Sequence, residues 1–173
     1  MEGCSIIGRM EEIMVQPMDS REMAACVDIL LENPLWGHYG MTGKIAGQML
    51  QAALTAGTSI LTARQDAQTV GFVWYMSNGA WGRSGYIRLI GVAPQFQGKG
   101  IGERLMAEAE ARMGESVNDV FLLVSDFNTR AARFYQRLGY QQVGAIPDYV
   151  VSGITELIFR KRLPGREVLS YPG

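Results

Sequence analysis

Three glycines at alternate positions, Gly98, Gly100 and Gly102, stand where an apolar run ends and an amphipathic run begins. Glycine has no Cβ, so a turn built from it lets backbone N–H groups approach a ligand closely. The start of a helix adds N–H groups without intrahelical partners and the positive end of the helix dipole. This segment therefore predicts a binding site for an anion of the phosphate type.

Two familiar phosphate-binding patterns do not fit this segment. A P-loop requires Ser or Thr directly after its lysine, but Lys99 is followed by Gly100, so no hydroxyl is placed to hold a magnesium ion. The dinucleotide pattern G-x-G-x-x-G, counted from Gly98, requires a glycine at the position of Glu103. A carboxylate there would lie close to a pyrophosphate. Both patterns are therefore disfavoured.

A third pattern, Q/R-x-x-G-x-G/A, is matched by Gln97, Gly100 and Gly102. It resembles the coenzyme A pyrophosphate loop of the GNAT superfamily of N-acetyltransferases. Residues 128–140 in turn resemble the family segment N-x-x-A-x-x-[FL]-Y-x-x-x-G-[FY], and they follow the loop at the distance of one helix and one strand. Two motifs in this order are far more specific than one. The resemblance covers residues 70–160.

Composition limits the partners of this protein. The chain has 173 residues, enough for one domain with a full hydrophobic core. Apolar residues make up 47% and charged residues 19%, and the formal net charge is −1, so no broad field attracts DNA or an anionic membrane. No apolar stretch is long enough to span a membrane. We expect neither a nucleic-acid partner nor a membrane association.

Cysteine and histidine are scarce. Cys4, Cys26 and the single histidine, His38, form no metal-ligand spacing, so we expect no metal site. Free thiols are consistent with a reducing compartment, which favours a cytoplasmic location. The N-terminus lacks a basic region followed by an apolar run, and a signal peptide is therefore not expected.

Hydrophobic periodicity predicts the elements that position the two motifs. We expect an N-terminal extension at residues 1–12, one N-acetyltransferase domain at 13–163 and a flexible tail at 164–173. The fold class is α+β, a GNAT-like fold in which about four helices flank a mixed, mostly antiparallel sheet of about seven strands. Asn78-Gly79 predicts a hairpin turn. The predicted strands are 13–17, 59–64, 70–77, 85–92, 120–124, 140–145 and 151–159, and the predicted helices are 19–33, 42–56, 101–113 and 128–138.

The resemblance implies a direct acyl transfer in which a primary amine attacks the thioester of acetyl-CoA, the co-substrate, within a ternary complex. It also implies a bulge that splays two strands into a V-shaped slot, for which Gly91 is a candidate. A packing role for Gly91, and solvated roles for Lys99 and Arg133, are equally open. The residues expected to bind the coenzyme are Ile90, Val92, Gln97, Gly98, Lys99, Gly100, Ile101, Gly102, Asn128 and Arg133.

The catalytic residues are only partly readable. By resemblance Tyr135 is the general acid, because a phenol stays protonated at neutral pH and donates to a departing thiolate. The family often has a glutamate on the strand before the glycine loop, but residues 86–93 contain none. Asp126 is the first candidate base. Asp148, Glu156, His38 and deprotonation by solvent remain open.

The sequence indicates the acceptor only as a class, a small-molecule amine or a protein amine. Trp36, His38 and Tyr39 form a loop that is expected to line the acceptor side of the slot. The apolar strand at residues 150–159 is a candidate surface for a homodimer, although a core role explains it equally well. The alternative functions are a coenzyme-A-binding module without full activity and, less favoured, a nucleotide-binding oxidoreductase.

Overall fold

A computed structural model describes residues 12–164, which form one mixed sheet with helices on both faces. The predicted extension and tail lie almost entirely outside the described residues, and both stay predictions. Three 3₁₀ helices cover Ser20–Glu22, Pro34–Tyr39 and Pro94–Phe96. The strands are β1 (Ile13–Pro17), β2 (Ser59–Gln65), β3 (Gln68–Ala80), β4 (Ser84–Val92), β5 (Asp119–Ser125), β6 (Gln141–Pro147) and β7 (Thr155–Arg162), and the helices are α1 (Met23–Leu31), α2 (Gly43–Thr55), α3 (Ile101–Gly114) and α4 (Thr129–Arg137).

The sheet has seven strands in the order β1-β2-β3-β4-β5-β7-β6. Every neighbouring pair is antiparallel except β4 and β5, which are parallel. The α+β class and the mixed, mostly antiparallel sheet are therefore confirmed.

Two hydrophobic clusters hold the helices on the two faces of the sheet. The predicted stripe Ile101, Leu105, Ala109 and Met113 of α3 is fully buried against one face. Helices α1 and α2 cover the other face, where Leu30 and other apolar side chains are fully buried. This sandwich leaves the central strands β3 and β4 with apolar residues on both faces, as their sequences indicate.

The predicted turn at Asn78-Gly79 is wrong. The chain reverses at Trp81 and Gly82, whose φ angles of 51° and 67° suit a tight hairpin turn. Asn78 and Gly79 instead lie in an irregular part of the β3–β4 ladder. A Cβ on Gly79 would stand 2.7 Å from Cβ of Tyr86, so this glycine permits close packing between strands.

The predicted start of the last strand is also wrong, because β7 begins at Thr155 rather than at residue 151. The preceding loop is closed by Asp148, whose Oδ1 accepts a hydrogen bond of 2.6 Å from the backbone N–H of Gly153. Asp148 itself has a φ of 54°. This local turn holds the apolar residues Val150 and Val151 out of the strand.

The central strands β4 and β5 separate part-way along their length. Their parallel pairing joins Gly85, Tyr86 and Ile87 to residues 120–122 and goes no further. Beyond Ile87, β4 pairs only with β3, and beyond Leu122, β5 pairs only with β7. A wedge-shaped opening results between the two strands, as the family resemblance implies.

A bulge at Arg88 accompanies this separation. Leu89 pairs with Trp74 and Ile87 pairs with Tyr75, so Arg88 has no partner on β3. The extra residue interrupts the alternation of side chains between the two faces of the sheet. As a result, Ile87 packs on the α3 face and Leu89 packs on the α1 face.

The expected bulge at Gly91 is wrong. This glycine is in regular register with Phe72. A Cβ at position 91 would stand 2.8 Å from Cγ2 of Ile29, so Gly91 is required for packing.

Candidate active site

A cavity of about 720 Å³ lies at the wide end of the opening, beside the glycine loop. It is bounded by the end of β4, the start of α3 and one face of α4. Most residues predicted to bind a coenzyme line this cavity, namely Ile90, Val92, Gln97, Gly98, Ile101, Gly102 and Arg133.

The glycine loop takes a backbone conformation that favours glycine. Gly98 and Gly100 have φ angles of 77° and 78°, in the left-handed region, and a Cβ at either position would meet no atom within 4 Å. Gly100 is also the N-cap of α3, and no side chain caps this helix. The first N–H groups of α3 are thus left for a ligand or solvent.

Lys99 does not line the cavity and has a different contact. Its ammonium lies 4.9 Å from the ring centroid of Phe96, a cation–π arrangement. Gln97 is tied to the end of β4, since its Nε2 donates a hydrogen bond of 3.1 Å to the carbonyl oxygen of Val92. The side chain of Gln97 therefore fixes the loop against the strand that precedes it.

Helix α4 supplies the opposite wall. Asn128 is its N-cap, and Oδ1 accepts a hydrogen bond of 3.1 Å from the N–H of Ala131. Arg130, Arg133 and Arg137 line the cavity beside the glycine loop. Glu32 and Glu103 line the same cavity, so three cations and two carboxylates leave its lining with a net charge of +1, which favours an anionic group.

A second cavity, of about 300 Å³, lies deeper in the opening between β4 and β5. Tyr135 lines both cavities and so forms part of the wall between them. Its side chain is 7% exposed, and its hydroxyl has no hydrogen-bond partner among residues 12–164. Burial raises the pKa of the Tyr135 phenol above its ordinary value, and nearby Tyr86 adds to the rise. The hydroxyl is therefore protonated and available as a donor at neutral pH.

The second cavity contains a chain of three polar side chains. Ser125 and Glu156 are directly paired on β5 and β7, so their side chains lie on one face of the sheet. The Tyr39 hydroxyl donates to Oε1 of Glu156 at 2.6 Å, and it lies 2.5 Å from Oγ of Ser125. Because Tyr39 uses its proton on Glu156, Ser125 is the donor in the second bond.

Burial and the hydrogen bond to Glu156 raise the pKa of Tyr39 to about 12. Glu156 is only 4% exposed, and its Oε2 atom has no hydrogen-bond partner within the described part of the chain. A carboxylate held by one oxygen and open at the other can accept a proton or bind an ammonium group.

The structure brings some of the predicted acceptor and base residues together and leaves others apart. Trp36 and Tyr39 line the second cavity, with ring centroids 5.8 Å apart. His38 does not line it and instead contacts Phe127, with ring centroids 5.0 Å apart and the ring planes tilted by 53°. Asp126 is exposed just after β5 and is not among the residues that line either cavity. Its role as a base stays a prediction.

Sequence reasoning overlooked Ser125, Tyr86 and Arg88, all of which line the second cavity. No local motif marks them, because the pairing of β5 with β7 and the bulge in β4 bring them together. Glu156 was available from the sequence as the single carboxylate of β7, directly before the apolar residues 157–159.

Comparison with known families decides the identity of this fold. The model of the Acetyltransferase (GNAT) family matches residues 25–140. The chain belongs to the GNAT family of acetyltransferases. Both the glycine loop and helix α4 lie inside the matched range, and so does the bulge at Arg88.

Curated relatives of this GNAT protein match about half of its length. The blasticidin-S acetyltransferase of Streptomyces morookaense is 38% identical over 78 residues, which are 45% of this chain and 57% of that protein. The mycothiol acetyltransferase of Propionibacterium freudenreichii is 36% identical over 93 residues, 52% of this chain and 30% of that protein. The thialysine N-epsilon-acetyltransferase of Bos taurus is 34% identical over 90 residues, 49% and 53% of the two chains. The chain thus covers roughly a third to just over half of these relatives.

Solved structures share the GNAT fold. The ribosomal-protein-S18-alanine N-acetyltransferase of Escherichia coli has a TM-score of 0.72 at 14% identity, over 92% of this chain and 99% of that one. A GNAT-family acetyltransferase of Bacillus cereus also has a TM-score of 0.72, at 16% identity, over 87% and 97%. A Salmonella typhimurium protein solved with acetyl-CoA has a TM-score of 0.71 at 15% identity, over 91% and 98%. At these identities the likeness concerns the fold.

The residues of this GNAT chain fit a coenzyme of the CoA type. Gly98 and Gly100 leave open space where other residues would place a Cβ, and an uncapped helix start and three arginines face the same cavity. Within residues 12–164, no group of three or more His, Cys, Asp or Glu side chains is arranged to hold a metal ion. No helix in that part of the chain is both long and apolar enough to cross a membrane.

Proposed function

We propose that this protein is an N-acetyltransferase that moves an acetyl group from acetyl-CoA to a primary amine by direct attack in a ternary complex. The observation that carries the proposal is the position of Tyr135 between two cavities. One cavity has the glycine loop and arginines suited to a pyrophosphate and a phosphate. The other has a carboxylate, Glu156, suited to an amine.

In the proposed reaction the amine nitrogen forms a bond with the thioester carbonyl carbon, and the carbon–sulfur bond then breaks. Tyr135 donates its phenolic proton to the departing thiolate, and solvent returns a proton to the phenolate afterwards. General acid catalysis of this kind contributes about 10²–10⁴-fold to a rate. The raised pKa of Tyr135 keeps the proton in place before the thiolate forms.

Glu156 is the proposed acceptor of the proton that the amine loses. Glu156 lines the cavity and its Oε2 atom has no hydrogen-bond partner among the described residues, while Tyr39 holds Oε1 and so fixes the orientation of the carboxylate. Tyr39 is therefore a positioning residue. Asp126 remains a rival base, acting through a water molecule from outside the cavity lining.

The size of the second cavity favours a small-molecule acceptor over a folded protein surface. Three of the curated relatives are named for blasticidin-S, mycothiol and thialysine, all of them small molecules.

A cytoplasmic location is part of the proposal and is supported by a buried free thiol at Cys26. The homodimer stays a prediction. Strand β7 pairs with β5 on one edge and with β6 on the other, so neither edge is free to pair with a second copy.

The deciding experiment measures release of free thiol when the full chain is mixed with acetyl-CoA and a panel of primary amines. We expect release that depends on an amine and yields one acetylated amine for each free thiol. Calorimetry measures the affinity for acetyl-CoA separately and so tests the alternative function. Tight binding without thiol release across the panel would make the protein a coenzyme-A-binding module.

A further inference from the structure

The second cavity holds one positive and one negative side chain. Among the nineteen described residues that line it, Arg88 and Glu156 are the only charged ones, and the rest are apolar or uncharged. The two charges are not paired with each other, since no Arg88 nitrogen lies within 4.0 Å of a Glu156 oxygen. A ligand between them therefore meets a cation and an anion at separate places.

The fold places Arg88 at this cavity through the bulge in β4. Ile87 and Leu89 are anchored in the cores on opposite faces of the sheet. Arg88 lies between them without a partner on β3, and its side chain is exposed. A regular strand would place residues 87 and 89 on one face and residue 88 on the other. The bulge thus directs an arginine to the site at the point where the two strands separate.

Within residues 12–164, Arg88 has no ion-pair partner. Its polar neighbour there is the phenol of Tyr86, where the charge of Arg88 and a side-chain hydrogen bond from it oppose part of the rise that burial causes in the pKa of that phenol. The planar guanidinium presents parallel N–H donors that match a carboxylate. An arginine that lines a small, mostly apolar cavity and has no carboxylate partner among the described residues is suited to an anionic group of a ligand.

We propose that the acceptor is a small amine that also carries a carboxylate, with Glu156 at the amine and Arg88 at the carboxylate. This inference rests on the proposed acetyltransferase function. The rest of the lining, including Trp36, Met41 and Met49, suits an apolar body between the two polar ends. The acceptor class is therefore that of amino acids with an apolar side chain or spacer.

The test compares each amino acid with its own carboxamide, which keeps the amine and the apolar body but lacks the negative charge. The panel contains leucine, phenylalanine and 6-aminohexanoic acid and their three amides, and the readout is kcat/KM for amine-dependent thiol release. Because acid and amide differ in the basicity of the amine, the deciding quantity is the change in their ratio between the wild type and Arg88→Gln. We expect Arg88→Gln to lower the acid-to-amide ratio by about 10- to 100-fold for at least one pair, as the loss of a charge-assisted bidentate contact implies.

Arg83→Gln is the matched control, because Arg83 is exposed in the β3–β4 turn and does not line the cavity. It should leave the ratio unchanged. Arg88→Lys, which keeps the charge without the planar fork, should give an intermediate ratio. Acetyl-CoA affinity and thermal unfolding of each variant report whether the site is folded.

The outcomes separate the two proposals. Equal loss for acids and amides in Arg88→Gln, or no loss for either, would overturn the carboxylate assignment while acetyl transfer stands. Absence of transfer to every amine by the wild type, despite acetyl-CoA binding, would overturn the acetyltransferase proposal and this inference together.

Discussion

Tyr39 and Glu156, 117 positions apart in the sequence, are joined by a hydrogen bond of 2.6 Å from the phenol to the carboxylate. The bond connects the 3₁₀ helix Pro34–Tyr39 to the last strand of the sheet across the second cavity. It leaves the other carboxylate oxygen without a hydrogen-bond partner among the described residues. A residue of a 3₁₀ helix thus fixes the orientation of a buried acid on β7.

The first prediction concerns this carboxylate. Glu156→Gln keeps the shape of the side chain and removes its ability to accept a proton, so kcat for amine acetylation should fall by about 10²-fold or more. Acetyl-CoA affinity, measured by calorimetry, should not change. Asp126→Asn is the matched substitution at the rival carboxylate. Loss of activity in Asp126→Asn together with full activity in Glu156→Gln would assign the base to Asp126.

Tyr39→Phe should act more weakly than Glu156→Gln. It removes the hydrogen bond that orients the carboxylate but leaves the carboxylate in place, so both kcat and KM for the amine should change, by about 3- to 30-fold in kcat/KM. The measurement is a pair of steady-state titrations of the amine at saturating acetyl-CoA. An effect as large as that of Glu156→Gln would show that Tyr39 itself carries a proton in the reaction.

Tyr135→Phe tests the general acid. The variant should lower kcat by about 10²-fold or more, because it removes the proton given to the thiolate while the ring remains packed. Its affinity for acetyl-CoA should stay close to that of the wild type. Tyr140→Phe is a matched control, since the Tyr140 ring lies 5.8 Å from that of Tyr135 and Tyr140 lines neither cavity. The control should retain activity.

The phenols also determine a prediction about pH. The folded pKa of Tyr39 is about 12, above the ordinary value of 10.0. A raised folded pKa contributes stability that is fully present below pH 10 and is lost as the pH rises toward 12. We expect the tyrosinate absorbance that Tyr39→Phe removes to appear only above pH 11. Neither phenol should ionise below pH 10. Any decrease in the wild-type kcat below that pH should therefore persist in Tyr135→Phe and in Tyr39→Phe.

Local sequence patterns predicted most elements because their causes are local. Asp19, Thr42 and Asn128 are the first residues of three predicted helices and belong to types that favour helix caps, and each accepts a hydrogen bond from a backbone N–H two or three residues along the chain. The turn predicted at Asn78-Gly79 failed for a tertiary reason. A glycine is needed at position 79 because β3 approaches Tyr86 closely there. Turn propensity depends only on neighbours in the sequence and does not include that contact.

The residues of the candidate site likewise differ in whether a local sequence pattern indicates them. The glycine loop and Tyr135 belong to contiguous motifs, so their spacing alone was informative. Arg88 and Glu156 become neighbours of one cavity only through a bulge in β4 and the register of β5 against β7. Neither feature has a signature in a single sequence. Glu156 was a candidate base from the sequence, but its meeting with Arg88 at one cavity is visible only in the folded chain.

A pair of glycine substitutions tests the packing around β4. Gly91→Ala would place a Cβ 2.8 Å from Ile29 Cγ2 and 3.1 Å from Phe72 Cε1, and these core side chains would have to move. Overpacking of this kind costs about 1–3 kcal/mol. Gly47→Ala adds the same methyl group in the interior of α2, where no atom lies within 4 Å, and should stabilise the protein by about 0.5–1 kcal/mol.

Urea unfolding of the two variants beside the wild type measures both free energies. The signs should be opposite, because one methyl group enters a filled core and the other enters solvent on a helix. Since Ile29 and Gly91 also line the cavity beside the glycine loop, Gly91→Ala should weaken acetyl-CoA binding as well, whereas Gly47→Ala should not. A stability of Gly91→Ala equal to that of the wild type would mean that Ile29 moves aside without cost, and the tight packing behind the slot would then have no energetic role.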